Sequence, residues 1–161
     1  MNLTITRLSL DVPMPAYATA GAAAFDLAAA TETVVPPHGI ALVPTGLVVA
    51  VPDGHFLAIL ARSSTPLRRG LMVANGMGVV DADYCGPADE VKIQVFNVTE
   101  QPVTVAVGDR IAQAMVLAAP RVTFLEGTTV DKASRGGFGS TGRKPGCRPD
   151  AVGRIAAAGL G

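Results

Sequence analysis

The chain has no tryptophan, and Phe, Trp and Tyr together make up only 4% of it. That poverty argues against a platform on which nucleobases stack in series. Charge of one sign is not in excess either, because 13 Lys and Arg balance 13 Asp and Glu. A duplex-DNA binder needs a cationic surplus to displace counterions, so no nucleic-acid partner is expected. The two cysteines, Cys85 and Cys147, lie far apart and form no CxxC pair. This argues against a disulfide framework and a structural zinc site, and it fits free thiols in the cytoplasm. The histidines, His38 in Pro-Pro-His-Gly and His55 after Pro-Asp-Gly, read as surface turn residues. No Ser-His-Asp or Cys-His arrangement, Walker loop or dinucleotide fingerprint is present. No apolar run reaches the ~18 residues that cross a bilayer, so no membrane is expected. Met1–Leu10 lacks the basic and then apolar regions of a signal peptide.

What is there is a chain of 161 residues, 49% hydrophobic, which suits one domain with a real core. Its 18 Gly and 12 Pro favour many turns and short strands over long helices. Val91, Ile93 and Val95 alternate with Lys92, Gln94 and Phe96, and Ile111–Ala119 is almost continuously apolar. Ile40–Val51 carries Leu42, Leu47, Val49 and Val51 but is broken at Pro44 and Gly46. Short runs of this kind between Pro-, Gly- and Asp-rich turns predict an all-β sandwich or barrel. The best internal helix candidate follows Ser63-Ser64-Thr65-Pro66, with Ser64 or Thr65 as cap, Pro66 at the first helical position and Gly70 as the stop.

Charge is segregated along the chain. Residues 132–161 carry six Lys and Arg and one Asp, a net +5, which leaves −5 on residues 1–131. The expected organisation is a folded body over 1–131, a Gly-rich basic arm over 132–142 and a disordered tail over 143–161.

Polar residues collect in five short segments within this apolar background. Ala24-Phe25-Asp26-Leu27 sets a carboxylate between large apolar neighbours, which by itself reads as a turn or strand-end Asp. Ala61-Arg62-Ser63-Ser64-Thr65-Pro66 combines a guanidinium, hydroxyls and a helix start, either an ordinary cap or a phosphate contact. Asn75-Gly76-Met77-Gly78-Val79-Val80-Asp81-Ala82-Asp83-Tyr84-Cys85-Gly86 delivers Asp81, a candidate general base for water, and Tyr84 at fixed spacing. In Gly108-Asp109-Arg110-Ile111-Ala112-Gln113, simple alternation puts Ile111 and Gln113 on one face, opposite Arg110 and Ala112. Arg135-Gly136-Gly137-Phe138-Gly139-Ser140-Thr141-Gly142 can wrap a polyphosphate, and Phe138 can stack on a base.

In order and spacing, the five segments resemble the dUTPase family (the homotrimeric dUTP diphosphatases) across about residues 20–142. The resemblance implies a jelly-roll-like β-barrel that forms a homotrimer, with sites at subunit interfaces closed by a neighbour's C-terminal arm. It implies hydrolysis of dUTP to dUMP and pyrophosphate with Mg²⁺, which limits uracil in DNA and supplies dUMP for thymidylate synthesis. Asp81 would activate the water that attacks the α-phosphorus. Arg62, Ser63, Ser64 and Gln113 would hold phosphate oxygens. Asp26 would hold water ligands of an Mg²⁺ carried mainly by the triphosphate. Asn75 and hairpin backbone near Val79, Val80 and Lys92 would read the uracil edge. Tyr84 would lie under the deoxyribose. Arg135 would reach the outer phosphates, Phe138 would cover the uracil, and Gly139, Ser140 and Thr141 would complete the arm's contacts.

Some positions depart from the family's pattern. Ala24 and Ser64 stand where Gly is common, and Pro87-Ala88-Asp89 is an insertion after Gly86. The fifth segment is also shortened between Arg135 and Phe138. The related dCTP deaminases use a Glu on the strand after the third segment, whereas Val91-Lys92-Ile93-Gln94-Val95-Phe96-Asn97 contains none. A non-catalytic β-sandwich would explain the composition but not the joint presence of Asp81, Tyr84, Gln113 and the arm.

Overall fold

A computed structural model describes residues 1–127 and 133. Met1–Val122 form one compact unit, to which everything below refers. The arm's candidate segment, residues 135–142, and the tail, with Cys147, lie outside the described residues.

The unit is built from eleven strands and one short helix, in keeping with the expected all-β class. The strands are β1 (Thr4–Arg7), β2 (Phe25–Ala28), β3 (Thr33–Val35), β4 (Ile40–Pro44), β5 (Leu47–Ala50) and β6 (His55–Ala61). Helix α1 (Ser64–Arg69) follows, then β7 (Leu71–Val73), β8 (Gly78–Val80), β9 (Lys92–Asn97), β10 (Val103–Val105) and β11 (Arg110–Ala118). One sheet has the order β2-β11-β6-β8 and another β4-β9-β7, while β1 pairs with β5 and β3 with β10. All of these pairings are antiparallel.

The alternation seen in sequence becomes burial. Val91, Ile93 and Val95 are at most 1% exposed and share one core with Leu57, Ile59 and Ile111 from the four-stranded sheet. The break at Pro44 and Gly46 separates β4 from β5, and Gly46 takes a positive φ of 66° where a side chain would strike Val12. His38 sits in an exposed turn as expected, whereas His55 is not a turn residue but opens β6 and is half-buried. His38 pairs with Glu100 at 3.1 Å, and the His55 ring bonds the Asp53 carbonyl at 2.9 Å. Cys85 is free and exposed. No helix among the described residues is long and apolar enough to cross a membrane.

Two local expectations need correction. Helix α1 starts at Ser64, so neither Ser64 nor Thr65 is the cap; Ser63 occupies that position, without a side-chain capping bond. Pro66 is therefore the third helical residue, which costs no hydrogen bond because the first turn's N–H groups lack helical partners anyway. The Thr65 hydroxyl is used elsewhere, donating to the Ile111 carbonyl at 2.8 Å in the core. Gly70 does end the helix, in the left-handed region at φ 63°, and its N–H bonds the Pro66 carbonyl. The second correction concerns β11. A bulge between Arg110 and Ala112 breaks the alternation, so Ile111 and Ala112 are both buried. Gln113 then pairs opposite Asp26 and Arg110 opposite Ala28, which puts Gln113 on the same face as Arg110.

Asn97 anchors the end of β9. Its fully buried amide donates to the Val35 and Gln101 carbonyls at 3.1 and 2.8 Å and accepts from the Thr99 N–H at 2.9 Å. Replacing it with Leu keeps the volume but strands those partners, at about 1–3 kcal/mol for each buried group left unpaired. Asn97→Leu is expected to lower the urea midpoint with little change in the slope of the transition. An unchanged midpoint would show that the anchor carries no stability.

Candidate active site

The bulge and the pairing of β2 with β11 bring three of the polar segments together. Asp26, only 13% exposed in its side chain, faces Gln113 across the ladder. One carboxylate oxygen receives Arg62 Nε at 2.8 Å and the other Arg110 Nη1 at 3.0 Å. Arg62 also donates from Nη1 to the Arg110 carbonyl at 3.0 Å, and the Gln113 amide donates to the Ala61 carbonyl at 3.2 Å. Two guanidiniums thus share one carboxylate and leave this corner with a positive excess. Ser63 and Ser64 stand beside it at the start of α1.

A polar cleft of about 420 Å³ opens on the same side, lined by Arg62, Ser64, Arg68, Arg69, Asp109 and Arg110 among others. Its shortest ion pair joins Arg69 Nη1 to Asp109 Oδ2 at 2.6 Å. Asp109 Oδ2 also accepts from the Ala106 N–H at 2.9 Å. The hydrogen bond from Arg69 holds the Asp109 carboxyl below its usual value, with the Ala106 bond and the Arg69 charge adding to it against a smaller opposing effect of burial.

The third segment lies elsewhere on the chain. Val80, the residue before Asp81, pairs with Leu57 near the start of β6, whereas Arg62 follows the opposite end of that strand. At about 3.3 Å per residue the two sites are roughly 15–20 Å apart along the backbone. Asp81 is exposed and lines a separate cavity of about 800 Å³ with Asp53, His55, Phe56, Asp83 and Arg121 among others. A turn joins Asp81 to Tyr84, whose N–H bonds the Asp81 carbonyl at 3.2 Å and whose hydroxyl reaches the Glu90 carbonyl at 3.3 Å. Asn75 and Val79 are exposed, and Val80 is half-buried.

The expected hairpin around these residues is not a two-stranded ladder. Strand β8 joins β6 while β9 joins β4 and β7, so the chain between them crosses from one sheet to the other. Lys92 opens β9 opposite Pro44, and its ammonium lies 3.8 Å from Glu90. The inserted Pro87-Ala88-Asp89 forms a local turn closed by the Asp89 carboxylate on the Gly86 N–H at 2.7 Å.

The structure therefore brings together Asp26, Arg62, Ser63, Ser64 and Gln113, and separately Val79, Val80, Asp81 and Tyr84, with Lys92 in the other sheet. Arg135, Phe138, Gly139, Ser140 and Thr141 lie outside the described residues. Sequence reasoning missed Arg110, Arg69 and Asp109 as parts of the site. Arg110 was hidden because alternation without a bulge sets it apart from Gln113. The Arg69 and Asp109 pair is 40 residues apart in sequence and carried no local signal.

Comparison with known proteins gives this geometry its context. The dUTPase family profile matches residues 11–142. The deoxyuridine 5'-triphosphate nucleotidohydrolase of Caulobacter vibrioides is 43% identical over 138 residues, covering 82% of this chain and 87% of its own length. That of Wolinella succinogenes is 39% identical over 145 residues, covering 89% of this chain and 95% of its own. Among solved structures, a dUTPase from Streptococcus mutans superposes with a TM-score of 0.70 at 29% identity, covering 77% of this chain and all (100%) of that one. With most of its length matched and its strands arranged as in those enzymes, this chain belongs to the dUTPase family and is a nucleotide hydrolase of the dUTP diphosphatase type.

Proposed function

We propose that the protein cleaves dUTP to dUMP and pyrophosphate through attack of an Asp81-activated water on the α-phosphorus. The observation that carries this reading is the Arg62–Asp26–Arg110 network beside Ser63, Ser64 and Gln113, a corner with donors for an anion and one carboxylate for a cation. Arg62 and the Ser63 and Ser64 groups bind the phosphates, and the Gln113 amide orients them. Charge developing on the bridging oxygen is stabilised by donors already in place, which is where most of the rate gain arises. Asp81 holds the water and takes its proton, a contribution of about 10²–10⁴-fold. Tyr84 packs on the deoxyribose and leaves no room for a 2′-hydroxyl. Backbone near Val79, Val80 and Lys92, with Asn75, reads the uracil edge, and Phe138 of the arm covers the base. Arg135, Gly139, Ser140 and Thr141 close on the outer phosphates.

The donor set fits Mg²⁺ only as an ion brought by the triphosphate. Among the described residues no three His, Cys, Asp or Glu side chains cluster, and both Asp26 oxygens are bonded to guanidiniums. Asp26 would hold water ligands of that ion, and bound Mg²⁺ would supply charge neutralisation on the phosphate oxygens.

The separation of Asp81 from Arg62 along β6 supports a homotrimer whose sites combine segments from different subunits, completed by residues 132–142 as an arm. The product dUMP would feed thymidylate synthesis, and removal of dUTP would limit uracil in DNA. An exposed free Cys85 suits the reducing cytoplasm.

Asp81→Asn keeps the shape and removes the base. Turnover measured as pyrophosphate release is expected to fall at least about 100-fold while a non-hydrolysable dUTP analogue still binds. Near-normal turnover in the folded variant would remove Asp81 from the mechanism, and ammonia release from dCTP would point instead to a deaminase.

Shared sites generate a distinct outcome. Asp81→Asn and Arg62→Met trimers should each be inactive alone. After the two are dissociated and reassembled together, part of the activity should return, because some sites then draw both intact residues from different chains. Mixed trimers that stay inactive, or a fully active monomer in sedimentation, would contradict the shared-site arrangement.

Tyr84→Ala is expected to relax rejection of UTP more than rejection of dTTP, because the ring is assigned to the sugar rather than the base. Competition assays with the two nucleotides check this, and unchanged UTP rejection would displace Tyr84 from the sugar.

A further inference from the structure

We propose that Arg69 and Asp109 are positioning residues for phosphate binding: their ion pair locks α1 against the turn before β11, so that Arg62, Ser63 and Ser64 face Asp26 and Gln113 in one fixed geometry. This inference rests on the reading of that corner as the phosphate site.

A helix of six residues does not hold its own place, so its position depends on what ties it down. Three ties run from this part of the chain to consecutive residues of one segment. Arg62, just before the helix, donates to the Arg110 carbonyl at 3.0 Å. Thr65 in the first turn donates to the Ile111 carbonyl at 2.8 Å. Arg69, the last helical residue, reaches Asp109 at 2.6 Å. The helix is therefore tied just before its start, in its first turn and at its last residue against residues 109–111, and of these three ties only that of Arg69 is an ion pair.

The Asp109 end is equally well anchored. Its carboxylate closes the turn back to Ala106, and Gly108 takes a φ of 82° within that turn. The Ala29 N–H bonds the Asp109 carbonyl at 3.0 Å, and the Gly108 N–H bonds the Ala29 carbonyl at 2.8 Å. These bonds fix the turn to the end of β2, close to Asp26. The pair thus sits where the three segments that carry Asp26, Arg62 and Gln113 meet. The downward shift of the Asp109 carboxyl agrees with a pair formed in the folded state. Because both side chains are partly exposed, the pair adds little to global stability. Its effect falls on placement, where an error near 1 Å can cost about 100-fold in rate.

The test uses the full chain with Arg69→Met, Arg69→Lys and Asp109→Asn, alone and in an Arg62→Met background. Affinity for a non-hydrolysable dUTP analogue with Mg²⁺ is expected to fall about tenfold in Arg69→Met and Asp109→Asn. Affinity for dUMP should fall much less, and the melting temperature should move little. Arg69→Lys should recover most of the loss. In the Arg62→Met background, Arg69→Met should add almost nothing, because it acts through Arg62 and its neighbours. Unchanged analogue binding, equal losses for analogue and dUMP, or additive losses on top of Arg62→Met would overturn the clamp. If Arg62→Met itself leaves analogue binding intact, the phosphate assignment of the corner fails first, and the clamp falls with it. If Arg62→Met weakens binding and Arg69→Met does not, only the clamp is wrong.

Discussion

The bulge in β11 between Arg110 and Ala112 is the constraint on which the site depends. A regular strand would turn Gln113 to the same face as Ile111 and so into the core, where its amide would need buried partners. One extra residue lets Ile111 and Ala112 both fill the core while Arg110 and Gln113 emerge together beside Asp26. Side chains also hold the irregular ladder. Thr65 of α1 donates to the Ile111 carbonyl and Arg62, just before α1, donates to the Arg110 carbonyl, so side chains help to satisfy the segment's backbone acceptors. Fold and candidate site are coupled there, because Arg62 both bonds the Arg110 backbone and is assigned to the phosphates, with Thr65 close by.

The same architecture keeps two sets of candidate site residues apart within one chain. Strand β6 carries Arg62 beyond one end and faces Val80, next to Asp81, near the other. A strand is stiff, and no loop motion folds its two ends onto each other. Under the proposed function, groups fixed at opposite ends of this strand meet around one ligand because different copies supply them. On that reading assembly would be part of catalysis rather than an addition to it, since a rigid strand holds its groups more tightly than loops would.

Much of this was legible in the sequence, and the rest was not for definite reasons. The alternation of Val91, Ile93 and Val95 marked β9 because burial on one face of a strand has period two. Gly70 marked the end of α1 because few other residues tolerate its left-handed conformation. Asp26, Arg62 and Gln113 were readable as a set through the order of segments. The start of α1 was misplaced because Thr65 looks like a cap until its hydroxyl is seen to serve Ile111. The crossing of β8 and β9 into different sheets was invisible, since pairing is a tertiary choice that local spacing does not encode. The same applies to Arg69 and Asp109, which meet only because the chain returns to α1 after β10.

Charge adds a last step. The body carries a net −5, which taken as a uniform sphere would repel a triphosphate. Salt screens charges over about 8 Å at physiological ionic strength, so what an approaching nucleotide meets is the local set. Around the cleft that set is Arg62, Arg68, Arg69 and Arg110 against Asp26 and Asp109. Each carboxylate is held by guanidinium groups, so the pairs fix the arginines in place without cancelling them. A site can therefore be cationic and rigid within an acidic body. The carboxylates serve as struts for that arrangement, and a binding anion need only add to contacts that the folded protein has already organised.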